Sequence, residues 1–414
     1  MRNVVVIGGG CAGQMAAYAA QTAGARVILL EKMPQLGLKM GITGKGRCNL
    51  TNAASMEELI RQTPGNGKFL YSAYHTFTNT DLLSLLASWG VKTKVERGGR
   101  VFPESDSAQE VRRAFRTALT KAGVEIHTEA SVREIHREGT AFEVTTAERT
   151  WPAAAVIMTT GGASYPQTGS DGSGHELAKG LGHTLIPLRP SLIPLVCEEA
   201  WCKALQGLSL RNVELTLHID GKAKQTLRGE MLFTHFGVSG PIVLRLSDAA
   251  SRALQRNRKV TLSLNVKPAL APETLDARLQ RDLEKNHLQQ MSNALRDLLP
   301  QRLIVPMLQA AEIGSDVKAA ELSRSERLRL GQALQNLSLT VTDTRPLREA
   351  IVTAGGISTK EVNPKTMESK IVPGIYFAGE ILDVHAFTGG YNLQAAFSTG
   401  YLAGVSAAGK ESEQ

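Results

Sequence analysis

The feature that most constrains the fold is a glycine-rich turn between two short apolar runs near the N-terminus. Val4–Ile7 is a β-branched run, and the pattern Gly8-x-Gly10-x-x-Gly13 follows it directly. An alanine-rich segment, Gln14–Ala23, then leads to a second apolar run, Ala25–Leu30. This order predicts a strand, a helix and a second parallel strand within roughly 30 residues. Parallel strands of this kind require a sheet covered by helices on both faces.

The glycine spacing predicts a dinucleotide site at this turn. Gly8 permits the tight turn, Gly10 lets a pyrophosphate approach the helix N-terminus, and Gly13 allows close packing of helix on strand. Glu31 stands 18 residues beyond Gly13, at the end of the second run. Its carboxylate suits the two ribose hydroxyls of an adenosine and disfavours a 2′-phosphate, which argues against NADP. The turn alone does not separate NAD from FAD, and a glycine turn without a ligand is the alternative.

A second motif near the C-terminus favours FAD. Gly374–Glu380 predicts a strand that ends in Gly-Glu, and Asp383 follows three residues later, within reach of a ribityl chain. Gly389–Gln394 then opens an alanine-rich helix that runs to about Gly404, and its N-terminus would favour negative charge on a reduced flavin. A glycine cap before a surface helix is the alternative. The cofactor-binding residues predicted here are Gly379, Glu380, Asp383, Gly390, Tyr391 and Asn392.

A third motif, Gly37–Asn52, is dense in glycine and basic residues. It is predicted to be a loop, neither helix nor strand, that wraps the pyrophosphate and presents side chains to the flavin. Cys48 within it is either a small buried filler or a proton donor beside the flavin. The apolar run Ala153–Met158 predicts a further buried strand, followed by another glycine pair. The cofactor-binding residues predicted in these two segments are Lys39, Gly46, Arg47, Asn49, Thr51, Gly161 and Gly162.

The pattern along the chain predicts an α/β protein with a Rossmann-type FAD-binding domain built from both chain ends. Residues 1–190 and 339–414 form that domain. Residues 191–270, with short alternating runs, form an inserted β-rich domain. Residues 271–338, with leucines at helical spacing interrupted by Pro300 and Pro306, form a helical subdomain or cap.

Charge and cysteine content narrow the function classes. The 414-residue chain carries a net charge of +8, and residues 32–121 hold 14 Lys and Arg against 7 Asp and Glu. That surplus is either a solvated basic face or a surface for a phosphate-rich partner such as a nucleic acid. The four cysteines form no CxxC pair, which predicts neither a metal site nor a disulfide. With no signal peptide and no membrane-length apolar run, we expect a soluble cytoplasmic protein without membrane contact.

The third motif also carries a resemblance to a known family. Gly37–Asn52, with its Gly-Arg-Cys-Asn-x-Thr-Asn core, resembles the hallmark of the BaiN/RdsA-type FAD-dependent oxidoreductases (the YhiN-like flavoproteins), as do Leu232–Pro241, Thr366–Lys370 and Gly389–Asn392. The similarity covers essentially the whole chain. It implies a flavoprotein with an inserted β domain and a helical cap.

The activities implied by this resemblance leave three functions open. The leading one is reduction of a uridine in large-subunit ribosomal RNA to dihydrouridine, with Cys48, His235 or Tyr391 as the catalytic acid. The alternatives are a small-molecule flavin enzyme, for amine oxidation or enone reduction, and an FAD-containing RNA-binding factor without turnover. The single glycine fingerprint is assigned to FAD, so NAD(P)H is expected only as a transient reductant.

Overall fold

A computed structural model of the chain describes residues 1–409. These residues form two compact units: Met1–Arg189 joined by the segment from Leu347 onward, and Pro190–Pro346. None of the helices within residues 1–409 combines the length and apolar character needed to cross a bilayer.

The strands, in chain order, are β1 (Asn3–Ile7), β2 (Arg26–Leu30), β3 (Thr51–Asn52), β4 (Thr93–Val95), β5 (Arg100–Pro103), β6 (Glu125–His127), β7 (Glu134–Glu138), β8 (Ala141–Thr145), β9 (Thr150–Ala153), β10 (Ala155–Met158), β11 (Leu185–Ser191), β12 (Leu195–Cys197), β13 (Ser209–Ile219), β14 (Lys222–Thr234), β15 (Gly237–Ser239), β16 (Val260–Asn265), β17 (Leu337–Thr344), β18 (Val352–Ile357) and β19 (Ile375–Phe377).

The α-helices are α1 (Cys11–Thr22), α2 (Leu38–Gly46), α3 (Met56–Arg61), α4 (Tyr71–Thr76), α5 (Asn79–Ser88), α6 (Ala108–Ala122), α7 (Ser173–Gly180), α8 (Trp201–Ala204), α9 (Pro241–Leu254), α10 (Pro272–Lys285), α11 (Met291–Ala294), α12 (Gln301–Ala310), α13 (Arg324–Gln335) and α14 (Tyr391–Ala407).

The first unit is built on a five-stranded parallel sheet in the order β19-β10-β1-β2-β6. Val4–Ile7 in β1 and Ala155–Met158 in β10 are buried throughout, because both faces of the sheet are covered. Strand β19 comes from the C-terminal part of the chain, so the two ends of the sequence complete one sheet. This confirms the predicted Rossmann-type architecture.

Smaller antiparallel sheets surround this parallel sheet. They are ordered β3-β5-β4 and β7-β8-β9, and a two-stranded sheet joins β11 to β18. The predicted single strand Ala153–Met158 is wrong in detail, because Ala153 ends the antiparallel strand β9 and the parallel strand begins at Ala155.

The segment Gly37–Asn52 is not simply a loop, which corrects the expectation from its composition. Helix α2 occupies Leu38–Gly46, although Thr43, Gly44 and Lys45 within it have non-helical backbone angles. The first turn forms because the Gly41 amide donates to the Gly37 carbonyl, and Gly37 supplies the left-handed conformation that starts the helix. Strand β3 then ends the segment.

The second unit contains a closed antiparallel barrel in the order β12-β15-β14-β13-β16-β17. Strand β16 alternates buried and partly exposed residues with the period of two expected for such a barrel. One buried apolar cluster contains side chains of the barrel strands and of helices α9 to α13. Pro306 lies inside α12 rather than ending a helix, which corrects the sequence expectation for that residue.

Candidate functional site

The candidate site lies where the carboxyl ends of β1, β10 and β19 meet. The backbone of Gly8, after β1, approaches the carbonyl of Thr159 so closely that a Cβ on Gly8 would lie 2.7 Å from that oxygen. A Cβ on Gly379, after β19, would lie 2.8 Å from Cβ of Ala12 in α1. The N-terminal and C-terminal glycine motifs are therefore neighbours, as ligand sites in parallel α/β sheets require.

The turn after β1 leaves an open cradle at the start of α1. Gly8 has a φ of 101°, which glycine adopts without strain, and its amide donates to the Leu30 carbonyl. A Cβ at Gly10 would meet no atom within 4 Å. No side chain among residues 1–409 caps the first turn of α1, so its amides remain available to an anion.

Glu31 is held rigidly at the end of β2. Its Oε2 accepts a hydrogen bond of 2.6 Å from the Gly9 amide, and its Oε1 accepts one of 2.8 Å from the Met33 amide. Burial raises the pKa of this carboxyl, and the two amide donors oppose that rise. Each carboxylate oxygen retains acceptor capacity for a ribose hydroxyl.

An ion pair joins two predicted residues that are 341 positions apart. Lys39 Nζ lies 2.7 Å from Glu380 Oε2 and donates to Ser164 Oγ at 2.8 Å. The Thr353 amide donates to Glu380 Oε1 at 2.8 Å. Gly162 makes room for this arrangement, since a Cβ there would lie 2.6 Å from Cβ of Thr353. Sequence reasoning missed Ser164 and Thr353. Ser164 stands two residues after the Gly161-Gly162 pair, which was the available signal.

The start of α14 is fixed by the segment that follows α2. The Thr51 hydroxyl donates to Gln394 Oε1 at 2.6 Å, and Gly390 lies directly against the Thr51 backbone. With its amide oxygen facing Gly390, Asn49 accepts from the Gly390 amide at 3.1 Å. Asn392 bonds the Ala386 amide and carbonyl, each at 2.8 Å. These contacts fix the N-terminus of α14: Asn49 and Asn392 bond backbone groups, and Thr51 bonds the side chain of Gln394.

Three other predicted cofactor residues have local partners or face solvent. Arg47 Nη1 lies 2.7 Å from Glu96 Oε1, and the guanidinium lies over the Phe102 ring. Asp383 accepts from Asn66 Nδ2 at 2.9 Å. Gly46 is exposed and has a φ of 85°. The structure therefore gathers Gly8, Gly10, Gly13, Glu31, Lys39, Gly162, Gly379 and Glu380 around the strand ends. Cofactor contacts by these residues, and by Arg47, Asp383 and Gly46, stay predictions.

The three candidate acids have different surroundings. Cys48 is fully buried among apolar residues including Met40 and Leu50, and burial raises the pKa of its thiol to about 12. Tyr391 is buried at the first position of α14 and packs on Gly389. His235 is exposed at the turn between β14 and β15 of the second unit, edge-on to Phe236. Their catalytic roles stay predictions.

The parallel sheet, the glycine turn and the acid at the end of β2 define a Rossmann-type dinucleotide-binding protein. Residues 2–406 match the family described as HI0933-like protein Rossmann domain. The chain therefore belongs to the HI0933-like family, which confirms the resemblance found in its motifs.

The chain is similar over its whole length to characterised bacterial enzymes. It is 34% identical to the 3-dehydro-bile acid delta(4,6)-reductase of Clostridium scindens, over 99% of both chains. It is 30% identical to the ribosomal RNA dihydrouridine synthase of Escherichia coli, over 96% of both chains, and 29% identical to the enzyme of that name from Haemophilus influenzae, over 97% of both. The chain is accordingly a flavin-dependent oxidoreductase.

Solved structures show the same fold at low sequence identity. The 3-ketosteroid delta1-dehydrogenase of Sterolibacterium denitrificans matches with a TM-score of 0.50 at 12% identity, over 99% of this chain and all of that one. The Escherichia coli quinol fumarate reductase subunit FrdA matches with a TM-score of 0.50 at 16% identity, over 99% of this chain and 70% of that one.

Proposed function

We propose that the chain reduces a carbon–carbon double bond conjugated to a carbonyl group, and that its substrate is a uridine of large-subunit ribosomal RNA. The C5–C6 bond of uracil is conjugated to the C4 carbonyl, and reduction adds a hydride at C6 and a proton at C5. The names of the Escherichia coli and Haemophilus influenzae relatives support this substrate.

The residues at the strand ends fit FAD. The uncapped start of α1 beside Gly10 suits the pyrophosphate, and Glu31 suits the adenosine ribose. When bound, FAD supplies the hydride chemistry. Lys39, neutralised in part by Glu380, places a cation at the same strand ends. We propose NAD(P)H as a transient reductant, because the one glycine fingerprint is assigned to FAD.

An exposed aromatic pair beside a lysine carries the RNA proposal. Tyr71 is 57% exposed and lies parallel to the exposed His75 ring, with centroids 6.5 Å apart and planes within 4°. Lys68 lies exposed one turn earlier in the chain. Flat exposed rings beside positive charge are the surface on which an unpaired base stacks.

Fewer basic residues of the stretch 32–121 are available to bind phosphates than its composition predicts. Arg47, Lys94 and Arg100 form ion pairs with the acidic residues Glu96 and Asp106, which lowers their value for phosphates. Helix α6, in contrast, buries its apolar face and leaves Arg113, Arg116 and Lys121 exposed. We propose that α6 and the Lys68–His75 segment supply the phosphate and base contacts.

The proton at C5 requires an acid from this chain. Cys48 keeps its proton at neutral pH because burial raises the pKa of the thiol to about 12, and Tyr391 and His235 also offer a donor. We keep all three as candidates. The single variants Cys48→Ala, Tyr391→Phe and His235→Asn distinguish the three candidates. Loss of the catalytic acid lowers the rate of substrate reduction, while reduction of the flavin by NAD(P)H continues.

The decisive experiment maps dihydrouridine in ribosomal RNA by mass spectrometry after deletion of the gene. We expect one dihydrouridine to disappear and to return with the wild-type gene. Lys68→Ala is expected to weaken RNA binding and to reduce the salt slope by about one, whereas Lys179→Ala, on the exposed side of α7, leaves the slope unchanged. An unchanged dihydrouridine pattern in the deletion strain would remove the RNA proposal.

A second candidate is reduction of a small steroid-like enone, favoured by the 34% identity to the Clostridium scindens reductase. It predicts consumption of a 3-oxo-4,6-diene steroid by the purified enzyme with reduced nicotinamide, at a rate that added RNA does not change. The amine-oxidation alternative predicts that the enzyme releases peroxide when an amine is added. If neither NADH nor NADPH reduces the bound flavin, the result favours an RNA-binding factor without turnover.

A further inference from the structure

Two cysteines and a glutamate converge in the second unit, outside the glycine motifs of the dinucleotide site and against the Leu232–Pro241 segment. Cys197 ends β12, Cys202 lies in α8, and Glu199 lies in the short bend between them. The two sulfur atoms and one carboxylate oxygen all lie within 4.8 Å of one another. The hydrogen bond that the Cys197 thiol donates to Cys202, together with burial, raises the pKa of the Cys197 thiol.

Only one of the two carboxylate oxygens of Glu199 accepts a hydrogen bond from the described residues. Its Oε1 accepts a hydrogen bond of 2.7 Å from the Thr340 amide. Its Oε2 is buried and has no hydrogen-bond partner among residues 1–409. A buried acceptor without a partner costs on the order of 1–3 kcal/mol, and more when it is charged. A cation bound between the Glu199 carboxylate and the two sulfurs would remove that cost.

The backbone around the cluster is fixed before any ion binds. The Glu198 amide donates to the Thr340 carbonyl at 3.0 Å, and the Cys202 amide donates to the Glu199 carbonyl at 3.0 Å. The Cys197 amide donates to the Phe236 carbonyl at 3.0 Å. Gly237 leaves room for the sulfur, since a Cβ there would lie 3.1 Å from Cys197 Sγ. The three side chains therefore project from a frame tied to β15 and β17.

We propose that Cys197, Glu199 and Cys202 bind one Zn²⁺ ion, with the fourth position open to water or an added ligand. Two thiolates and a carboxylate are ligands that zinc accepts in tetrahedral geometry, with Zn–S distances of about 2.3 Å that place the sulfurs about 3.8 Å apart. Calcium and magnesium prefer oxygen donors and do not suit this set. The ion would fasten β12 to α8.

The pattern Cys-x-Glu-x-x-Cys explains why cysteine spacing failed to predict this site. The sequence rule seeks two cysteines separated by two residues, whereas here four residues separate them and a carboxylate supplies the third ligand. The proposal does not depend on whether the substrate is RNA or a steroid, because Cys197, Glu199 and Cys202 are neither candidate acids nor predicted cofactor residues.

The test uses the full chain with its flavin bound. The cysteines are reduced with a phosphine, because a thiol reductant would compete with them for the metal. We expect one zinc per chain by elemental analysis after dialysis. Cobalt(II) in its place should give thiolate-to-cobalt charge transfer and the visible bands of a tetrahedral ion. Cys202→Ala should weaken zinc binding by more than about 100-fold, exceeding the effect typical of outer-shell changes, and Glu199→Gln should weaken it and change the cobalt spectrum.

Cys11→Ala is the matched control, since Cys11 is also a buried cysteine but belongs to the first unit, and it should leave zinc stoichiometry at one. The cobalt spectrum of the wild-type protein keeps the test valid if a variant fails to fold. Wild-type protein that binds no zinc, or that carries a Cys197–Cys202 disulfide and stays metal-free after reduction, would overturn the proposal. Equal loss of zinc in Cys11→Ala would overturn it as well.

Discussion

Gly10 and Gly13 lie three residues apart in one turn, yet the structure gives them different tasks. A side chain at Gly13 would overlap the carbonyl oxygen of Gly8, so Gly13 serves the packing of α1 on β1. A side chain at Gly10 would enter open space at the start of α1. Gly13 therefore stabilises the fold, whether or not a ligand is bound, whereas we expect Gly10 to serve the ligand.

Gly10→Ala is expected to separate folding from cofactor binding. Gly10 has φ −73° and ψ −168°, which alanine adopts freely, so the apoprotein should keep its melting temperature. The added methyl group should lower FAD affinity by more than about tenfold, because it occupies the approach of the pyrophosphate to the amides. Flavin titration of the apoprotein, with thermal denaturation in parallel, measures both quantities.

Gly180→Ala is the control for this experiment, since a Cβ at Gly180 also meets no atom within 4 Å but lies at the end of α7. It should leave FAD affinity unchanged and should keep or slightly raise the melting temperature, since alanine favours helix. Normal FAD affinity in Gly10→Ala would contradict the placement of the pyrophosphate at this turn.

At the level of elements, the pairing of α1 with α14 determines whether the two chain ends meet. Gly400 and Gly404 lie one turn apart on α14, and a side chain at either would overlap the backbone of α1 at Ala12 or Ala16. The backbones of the two helices therefore lie in direct contact. A residue larger than glycine at position 400 or 404 would push the two helices apart.

A pair of glycine substitutions within helices tests this close approach. Gly404→Ala should lower the free energy of unfolding by about 1–3 kcal/mol, since it overpacks the α1–α14 contact. Gly331→Ala, in α13, should raise it by up to about 1 kcal/mol, because the nearest atom to a Cβ there is 3.8 Å away and alanine favours helix. Urea denaturation compares the two, and equal effects would refute the packing argument.

The sequence predicted the elements whose signal is local. β-branched runs and glycine boundaries predict an element from its own residues alone. They predicted the strand Val4–Ile7, the strands around Val213 and Val260, and the helix after Gly389. Helix α2 was missed because the glycines in Gly37–Gly46 hide a single helical turn. Short helices inside glycine-rich segments depend on contacts, such as that of Gly41 with Arg112, that no local pattern encodes.

At the scale of the whole molecule, the second unit is one continuous segment. The Arg345 amide donates to the Pro194 carbonyl, so the beginning and end of Pro190–Pro346 lie side by side. The segment also has its own buried apolar cluster, shared by the barrel and its helices. Both properties are those of an independently folding insertion.

We expect Pro190–Pro346 expressed alone to fold. It should give a single cooperative unfolding transition and dispersed NMR amide signals, because its core is complete within its own boundaries. A peptide ending at Lys267, which removes β17 and leaves the barrel open, is the control and should not fold. An unfolded or aggregated Pro190–Pro346 would contradict the independence of this unit.

The site itself could be predicted only where its residues stand in motifs. Glu31 and the glycines followed from spacing, and Lys39 and Glu380 were each named as cofactor residues. Their ion pair was not predictable, because it joins residues 341 positions apart that only the three-dimensional fold brings together. The cluster of Cys197, Glu199 and Cys202 was missed for a different reason, because its residues are close in sequence but do not follow a CxxC spacing.

The direct contact between α1 and α14 also orders events during biosynthesis. Helix α1 is synthesised long before α14, so the contact between them forms only after residues 391–407 have been translated. A nascent chain stalled before Tyr391 would carry β1 and its turn without the helix that packs on α1. Premature stop codons as late as residue 390 should therefore yield colourless protein.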